Sequence, residues 1–348
     1  MIRKTGYILI SMLVLLIATM VFSACIGALK ISVPELLAIL GNQTGLSAQE
    51  GFKPQQAAVL LNIRLPRVFL GVLIGAGLGI SGAAVQGLFR NPLAEPGLIG
   101  ISSGATLFAV LMIVLEVGLF KSLSGVIGFY ALSLAAFIGA CITTTIVYRL
   151  SVRNGRTVTT TLLLSGIAIN ALAGAFTGLL TYMATDEQLR TITFWSLGSL
   201  GGASWETVTG LLPFILIPVA GLPLMAKSLN ALALGDAEAL HMGIDVRNLK
   251  RIIIVLATVA VGASVAVAGT IGFIGLIVPH IIRMTFTADH RLVIPGSAIL
   301  GAVLLTLADL MARTIVVPAE LPIGILTALI GTPVFLYIII TERNKNKI

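Results

Sequence analysis

Hydrophobic residues in this 348-residue chain come in long unbroken runs separated by short polar intervals. Runs of roughly 20 residues, the length at which a helix crosses the hydrocarbon core of a bilayer, fall at about 7–29, 65–88, 94–115, 123–148, 158–182, 205–226, 248–268, 272–286, 293–312 and 321–341. The pattern predicts an all-α, polytopic membrane protein with about ten transmembrane helices, forming a single domain over 1–348. The least sharply bounded run is the short one at 272–286, parted from its predecessor only by Gly269 to Gly275. The first polar interval, Lys30 to Asn62, contains Gly41, Gly45, Gly51 and Pro54 and reads as an exposed loop with some helix. A secretory signal is the competing reading of the first run, since Phe22-Ser23-Ala24-Cys25 loosely resembles a lipoprotein cleavage site. The run is longer than a signal core, however, and many more spans follow it.

The second run organises the chain. Gly71, Gly75, Gly79, Ala83 and Gly87 recur every fourth residue and so share one helix face. A face without side chains lets another backbone approach, which is how helices associate where burying apolar surface supplies little drive. The run breaks at Asn91-Pro92-Leu93-Ala94-Glu95-Pro96-Gly97, where two prolines and a glycine rule out a continuous helix.

Composition excludes whole classes. With 57% hydrophobic and 10% charged residues and a mean hydropathy of +1.07, the chain is neither a soluble enzyme nor a disordered one. Its net charge of +8 could suggest nucleic acid, but the basic residues sit between apolar runs and read as topology signals, with no nucleic-acid partner implied. Sorting them by the ten spans puts 15 of the 22 on one side, which makes that side, and both termini, cytoplasmic. Cys25 and Cys141 both lie in apolar runs and imply no disulfide framework.

Two soluble-enzyme patterns are accidental. Gly77-Leu78-Gly79-Ile80-Ser81-Gly82 matches a dinucleotide fingerprint without a preceding strand, and Gly100-Ile101-Ser102-Ser103-Gly104 matches a nucleophile elbow without a histidine placed near it. The histidines and cysteines show no metal-ligand spacing. There is no phosphate-binding GxxxxGK[ST], so ATP-driven work would require a second polypeptide, docked on the cytoplasmic side. The candidate dock is 229–243, read as two short helices broken at Gly235, with Asp236 capping the second and Gly243 ending it. Its apolar residues would enter a partner's groove. The alternative is an interfacial helix lying on lipid.

Four segments together resemble the ABC-importer permeases for haem, iron-siderophores and cobalamin. They are Arg64 to Gly104, the helices from Leu234-Gly235-Asp236 to Leu240-His241-Met242-Gly243, Gly272 to His280, and Ala319-Glu320-Leu321-Pro322-Ile323-Gly324. The resemblance covers nearly the whole chain and implies the type II ABC-importer permease fold. It also implies a non-enzymatic homodimer in a bacterial inner membrane, paired with two cytoplasmic ATPase subunits and fed by a periplasmic substrate-binding protein. ATP and Mg would reside on the ATPase, and no cofactor is expected on this chain. By the same resemblance Arg64, Arg67 and Arg313 receive glutamates of the binding protein. Snorkelling to headgroups, or for Arg313 an i−4 pair with Asp309, is the alternative. Thr159 and Thr160 match the cytoplasmic gate, and Leu234, Gly235, Asp236, Glu238, Leu240, His241 and Gly243 match the ATPase-coupling element.

The stretch from Tyr182 to Arg190 and on from Phe194 to Gly202 looks most like haem-transporting members and falls at the outer vestibule. Haem is a flat apolar ring with two carboxylates, so Arg190 is the candidate for its propionates. The alternative pairs Arg190 with Asp186 or Glu187. Cargo stays open between haem, ferric siderophore and cobalamin. A proton-coupled secondary transporter would need intramembrane acids, for which only Asp309 and Glu116 are near, and an intramembrane enzyme lacks a nucleophile–base pair.

Overall fold

The structure, a computed structural model, describes residues 2–45, 51–119, 128–153, 156–316 and 319–345. The start of the run expected at 123–148, and the charges Lys121 and Lys347, lie outside these residues.

Apolar runs become helices because in lipid every backbone N–H and C=O must be satisfied within its own segment. In chain order these are α1 (Ile2–Cys25), α2 (Val33–Gln43), α3 (Pro54–Val59), α4 (Leu65–Phe89), α5 (Ile101–Leu119), α6 (Gly128–Ser151), α7 (Thr159–Tyr182), α8 (Asp186–Leu197) and α9 (Trp205–Leu224). They continue as α10 (Ala226–Leu232), α11 (Asp236–His241), α12 (Val246–Ala268), α13 (Ile274–Thr285), α14 (His290–Ala312) and α15 (Ile323–Lys345). A minimal antiparallel hairpin, β1 (Val152–Arg153) with β2 (Arg156–Thr157), turns α6 into α7. Among the described residues seven helices are long and apolar enough to cross a membrane. Three shorter apolar ones, Ile101–Leu115, Ile274–Thr285 and Ile323–Ile338, complete the ten expected from the runs. The chain is a multi-pass membrane protein.

α4 is the axis of the bundle. Within its most hydrophobic window 83% is buried, against 17% for α7. Its small-residue face meets α14 in antiparallel register: Gly71 stands against Thr306, Gly75 against Gly301, Gly79 against Ser297 and Gly87 against His290. A Cβ on Gly75 would come within 2.8 Å of Ala302 Cα, and one on Gly79 would overlap the Ser297 carbonyl. Gly82, one position off the stripe, meets the Gly275 carbonyl and so admits the start of α13.

Two features depart from the simple run-per-helix pattern. Leu60–Arg64 forms a π-helical turn that joins α3 to α4, so one 36-residue helical stretch from Pro54 to Phe89 projects beyond the membrane. The break after it is a short 3₁₀ turn, Pro96–Ile99, so α5 starts at Ile101 rather than near 94. α8 is a half-length helix, started by a Thr185–Gln188 capping box and stopped at Gly198, whose φ of 72° suits only glycine.

Because the obstacle is backbone, which cannot rotate away, Gly79→Leu is expected to cost more than about 3 kcal/mol, the upper end of ordinary overpacking. It should therefore lower the melting temperature in detergent sharply. Gly210→Leu, where no atom lies within 4 Å of the point a Cβ would occupy, should leave melting close to the parent protein.

Candidate functional site

Polar chemistry gathers at the two ends of the bundle and in one cavity under α8. At the end that carries α10 and α11, the chain reverses through Gly235 (φ 140°) and leaves through Gly243 (φ 79°). Gly235 itself takes the N-cap position of α11 without a side-chain cap. The expectation that Asp236 caps this helix is therefore corrected: Asp236 is the first helical residue, and its carboxylate is drawn to two cations instead. Lys250 Nζ on α12 donates to it at 2.6 Å, and Arg90 stands 3.4 Å away.

Lys250 ties this element to α7. Its side chain is 1% exposed, and besides Asp236 its ammonium donates to Thr159 Oγ1 at 3.0 Å and to the Thr157 carbonyl at 3.4 Å. All three ammonium protons are thus used, as a buried cation requires. Thr160, one residue on, is exposed. Asp236 at the start of α11 and Thr159 at the head of α7, 77 residues apart by their numbering, share one ion.

A second anchor fastens α10 to α14. Asn230 Nδ2 donates to Asp289 Oδ1 at 2.6 Å, and Asn230 Oδ1 accepts the His290 backbone N–H at 3.0 Å. Burial pushes the Asp289 carboxyl up, but hydrogen bonds from the Arg291 N–H and the Asn230 amide, with the Arg291 and His290 charges, hold it below its ordinary value. With Leu229, Leu232 and Ala239 packed inward, Leu234, Leu240 and Met242 are left outside, beside exposed Glu238 and His241.

Arg64, Arg67 and Arg313 do meet at the opposite end, but none holds a guanidinium free toward solvent. Arg64 donates to the carbonyls of Ala24 (2.9 Å), Cys25 (3.0 Å) and Leu29, collecting the orphan carbonyls at the end of α1. Arg67 grips Asp309 through Nε at 2.9 Å and Glu320 through Nη1 at 2.8 Å. Arg313 bonds Ser23 and lies 3.7 Å from Asp309, the i−4 pair that their spacing allows. Of the two acids, Asp309 is 3% exposed and Glu320 46%. The cluster therefore clamps α1, α4 and α14 and the approach to α15, and presents one carboxylate outward.

Arg190 stands on the exposed side of α8, 5.8 Å from the centre of the Phe194 ring. Both line a cavity of about 590 Å³ with Glu187, Trp195, Ser199 and Val267. Glu116 lies among residues whose side chains are not described.

Sequence reasoning missed Lys250, Asn230 and Asp289. Lys250 sits beside Arg251 at the head of an apolar run, where both read as topology charges, and only burial distinguishes the one that is a tether. Asn230 and Asp289 belong to different polar intervals with no shared spacing.

Comparison with known proteins accords with this architecture. The family model described as the FecCD transport family matches residues 15–341. The hemin transport system permease protein HmuU of Yersinia pestis is 50% identical over 82% of this chain and 84% of its own. The cobalamin import system permease protein BtuC of Halobacterium salinarum is 43% identical over 82% and 74%. Among solved structures, an ABC transporter described as of metal-chelate type, in an inward-facing conformation, superposes with a TM-score of 0.84 and 32% identity, covering 97% of this chain and 99% of that one. The chain belongs to the FecCD transport family and is a membrane permease of the ABC-importer type.

Proposed function

We propose that this permease moves haem from a periplasmic binding protein across a bacterial inner membrane, as a homodimer driven by two cytoplasmic ATPase subunits that hold the ATP and Mg. Both termini then face the cytoplasm. The observation that carries the reading is the Asp236–Lys250–Thr159 linkage. A displacement of α11 by a nucleotide-driven partner is transmitted to the head of α7 through one buried ion, with no soft segment between. Exposed Leu234, Leu240 and Met242 supply the apolar edge for that partner's groove. α7, apolar yet 17% buried, is a face suited to a second copy, across which Thr159 and Thr160 would close.

Haem is favoured as cargo by the 50% identity to a hemin permease and by the cavity under α8, where a cation and two aromatic rings share one wall. Cobalamin and ferric siderophores are the alternatives: a cobalamin import permease is among the relatives, and a transporter described as of metal-chelate type is among the solved structures. Proton coupling through Asp309 is disfavoured because its carboxylate is bound to Arg67 at 2.9 Å in a nearly solvent-free site. The rim of Arg64, Arg67 and Arg313 is the proposed landing place of the binding protein, whose acids would exchange with exposed Glu320 on Arg67 and leave the buried Arg67–Asp309 pair in place.

In vesicles containing the permease, its ATPase and a loaded binding protein, ATP-dependent uptake of hemin is expected to exceed that of cobalamin and ferric chelates. Uptake by the permease alone on an ion gradient would overturn the proposal. Lys250→Met should cut transport per ATP hydrolysed more than tenfold while hydrolysis stays within about twofold; a matched loss of both would show that the residue serves assembly and not coupling. Arg190→Ala should raise the hemin concentration needed for half-maximal uptake, and unaltered uptake removes Arg190 from the vestibule. Arg64→Gln should weaken capture of the binding protein about tenfold, with a moderate fall in melting because the shorter side chain leaves the Ala24, Cys25 and Leu29 carbonyls without their donors. Unchanged capture would take Arg64 out of the dock.

A further inference from the structure

α12 forms the floor of a groove walled by α6 and α9, and the groove has two unlike compartments. One, of about 370 Å³, is lined by Tyr130, Leu134, Phe214, Ala263 and Val267 and carries no charged side chain. The other, of about 650 Å³ between α6 and α12, carries Arg149, Arg247 and Arg251 together with Thr144, Thr145 and Tyr148. The Phe137 and Phe214 rings, which meet edge-on at 5.3 Å, line the first of these and not the second.

The basic compartment is unusual in three respects. Its arginines come from the last turn of α6 and the first turns of α12, all are exposed, and among the described residues none pairs with a carboxylate. The acid two residues before Arg247, Asp245, is occupied by the Asn248 backbone N–H (3.0 Å) and Nδ2 (2.6 Å). Thr145 and Tyr148 add polar side chains to the same wall, Thr145 being exposed. Away from the arginines the walls turn apolar with Ile254, Val255 and Val259. The flanks beside them, Ile142, Ile146 and Ile252, are exposed apolar side chains on membrane-spanning helices, a surface that acyl chains suit.

We propose that this compartment is a binding site for an anionic phospholipid. The headgroup phosphate would sit among Arg149, Arg247 and Arg251, the glycerol ester region would lie beside Thr145, and an acyl chain would run along the Ile254, Val255 and Val259 wall. Three cations with no acid of their own suit a phosphate, and guanidinium forks suit its oxygens. The continuous apolar wall favours a lipid over free phosphate or an acidic protein segment. The inference rests on the membrane-spanning reading alone and is independent of the cargo.

The test uses the delipidated full-length chain in detergent, titrated with phosphatidylglycerol, cardiolipin, phosphatidylcholine or inorganic phosphate, and read by native mass spectrometry and melting temperature. Phosphatidylglycerol and cardiolipin should bind saturably and raise the melting temperature, whereas phosphatidylcholine and phosphate should not. The triple variant Arg149→Gln, Arg247→Gln and Arg251→Gln should weaken anionic-lipid binding on the order of a hundredfold, since each basic residue near a headgroup contributes about a factor of five. Arg153→Gln with Arg291→Gln, the same kind of change outside the compartment, should bind as the parent does. If the triple variant does not fold, Arg251→Gln alone should still show a several-fold loss. Parent-like lipid binding by the triple or the single variant would overturn the site, as would equal binding of phosphatidylcholine or full competition by phosphate. Normal lipid binding with lost ATPase capture would assign the arginines to the partner protein and overturn it likewise.

Discussion

In lipid a leucine gains little by hiding from one apolar surrounding in another, so the contact that fixes this bundle is backbone against backbone. α4 and α14 lie so close at Gly75–Gly301 and Gly79–Ser297 that no Cβ fits between them. Everything else takes its place from that pair. α13 reaches the axis only because Gly82 is bare, and His290 comes under α4 only because Gly87 is. Charged groups that end up inside must then find their partners at fixed positions, since neither helix can shift to accommodate them.

That rigidity gives the buried ions their meaning. Arg67 and Asp309 stand on the two helices of the tight pair, so their bidentate contact closes the seam at one end as the glycines close its middle. At the other end Asn230 and Asp289 attach α10 to α14, while Lys250 attaches α11 to α12 and to the start of α7. A short helical element so fixed moves as a piece of the bundle. Breaking the Arg67–Asp309 pair, where both side chains are nearly out of water, would cost about 3–5 kcal/mol; the other contacts, with Asp236 and Asp289 partly in solvent, cost less.

The outer surface is organised by a weaker rule. Exposed Ile142, Ile146 and Leu150 on α6, with Ile217 and Leu224 on α9, leave the groove over α12 open to the bilayer. Charge appears along it only at the level of Arg149 and Arg247. The two ends of a membrane protein meet different leaflets, and this groove differs between its ends in the same way.

The ten apolar runs, the glycine face and the break at Asn91 to Gly97 were legible in the chain because each is local. Run length states membrane thickness, a four-residue period states a helix face, and proline states a missing donor. The break at Gly235 and the exit at Gly243 were legible for the same reason, each demanding a backbone angle that glycine tolerates. The roles of charges were not legible. The spacing of Arg313 and Asp309 offered their pair, but the Arg67–Asp309 contact, the Arg64 contacts to the end of α1 and the burial of Lys250 were out of reach, because a sequence gives a charge its side of the membrane but not its direction. Asp236 read as a helix cap because it follows Gly235, yet a buried ammonium 14 residues on claims its carboxylate. Which partner an ion takes is set by distances across helices and by the absence of water between them, and those exist only once the bundle has closed.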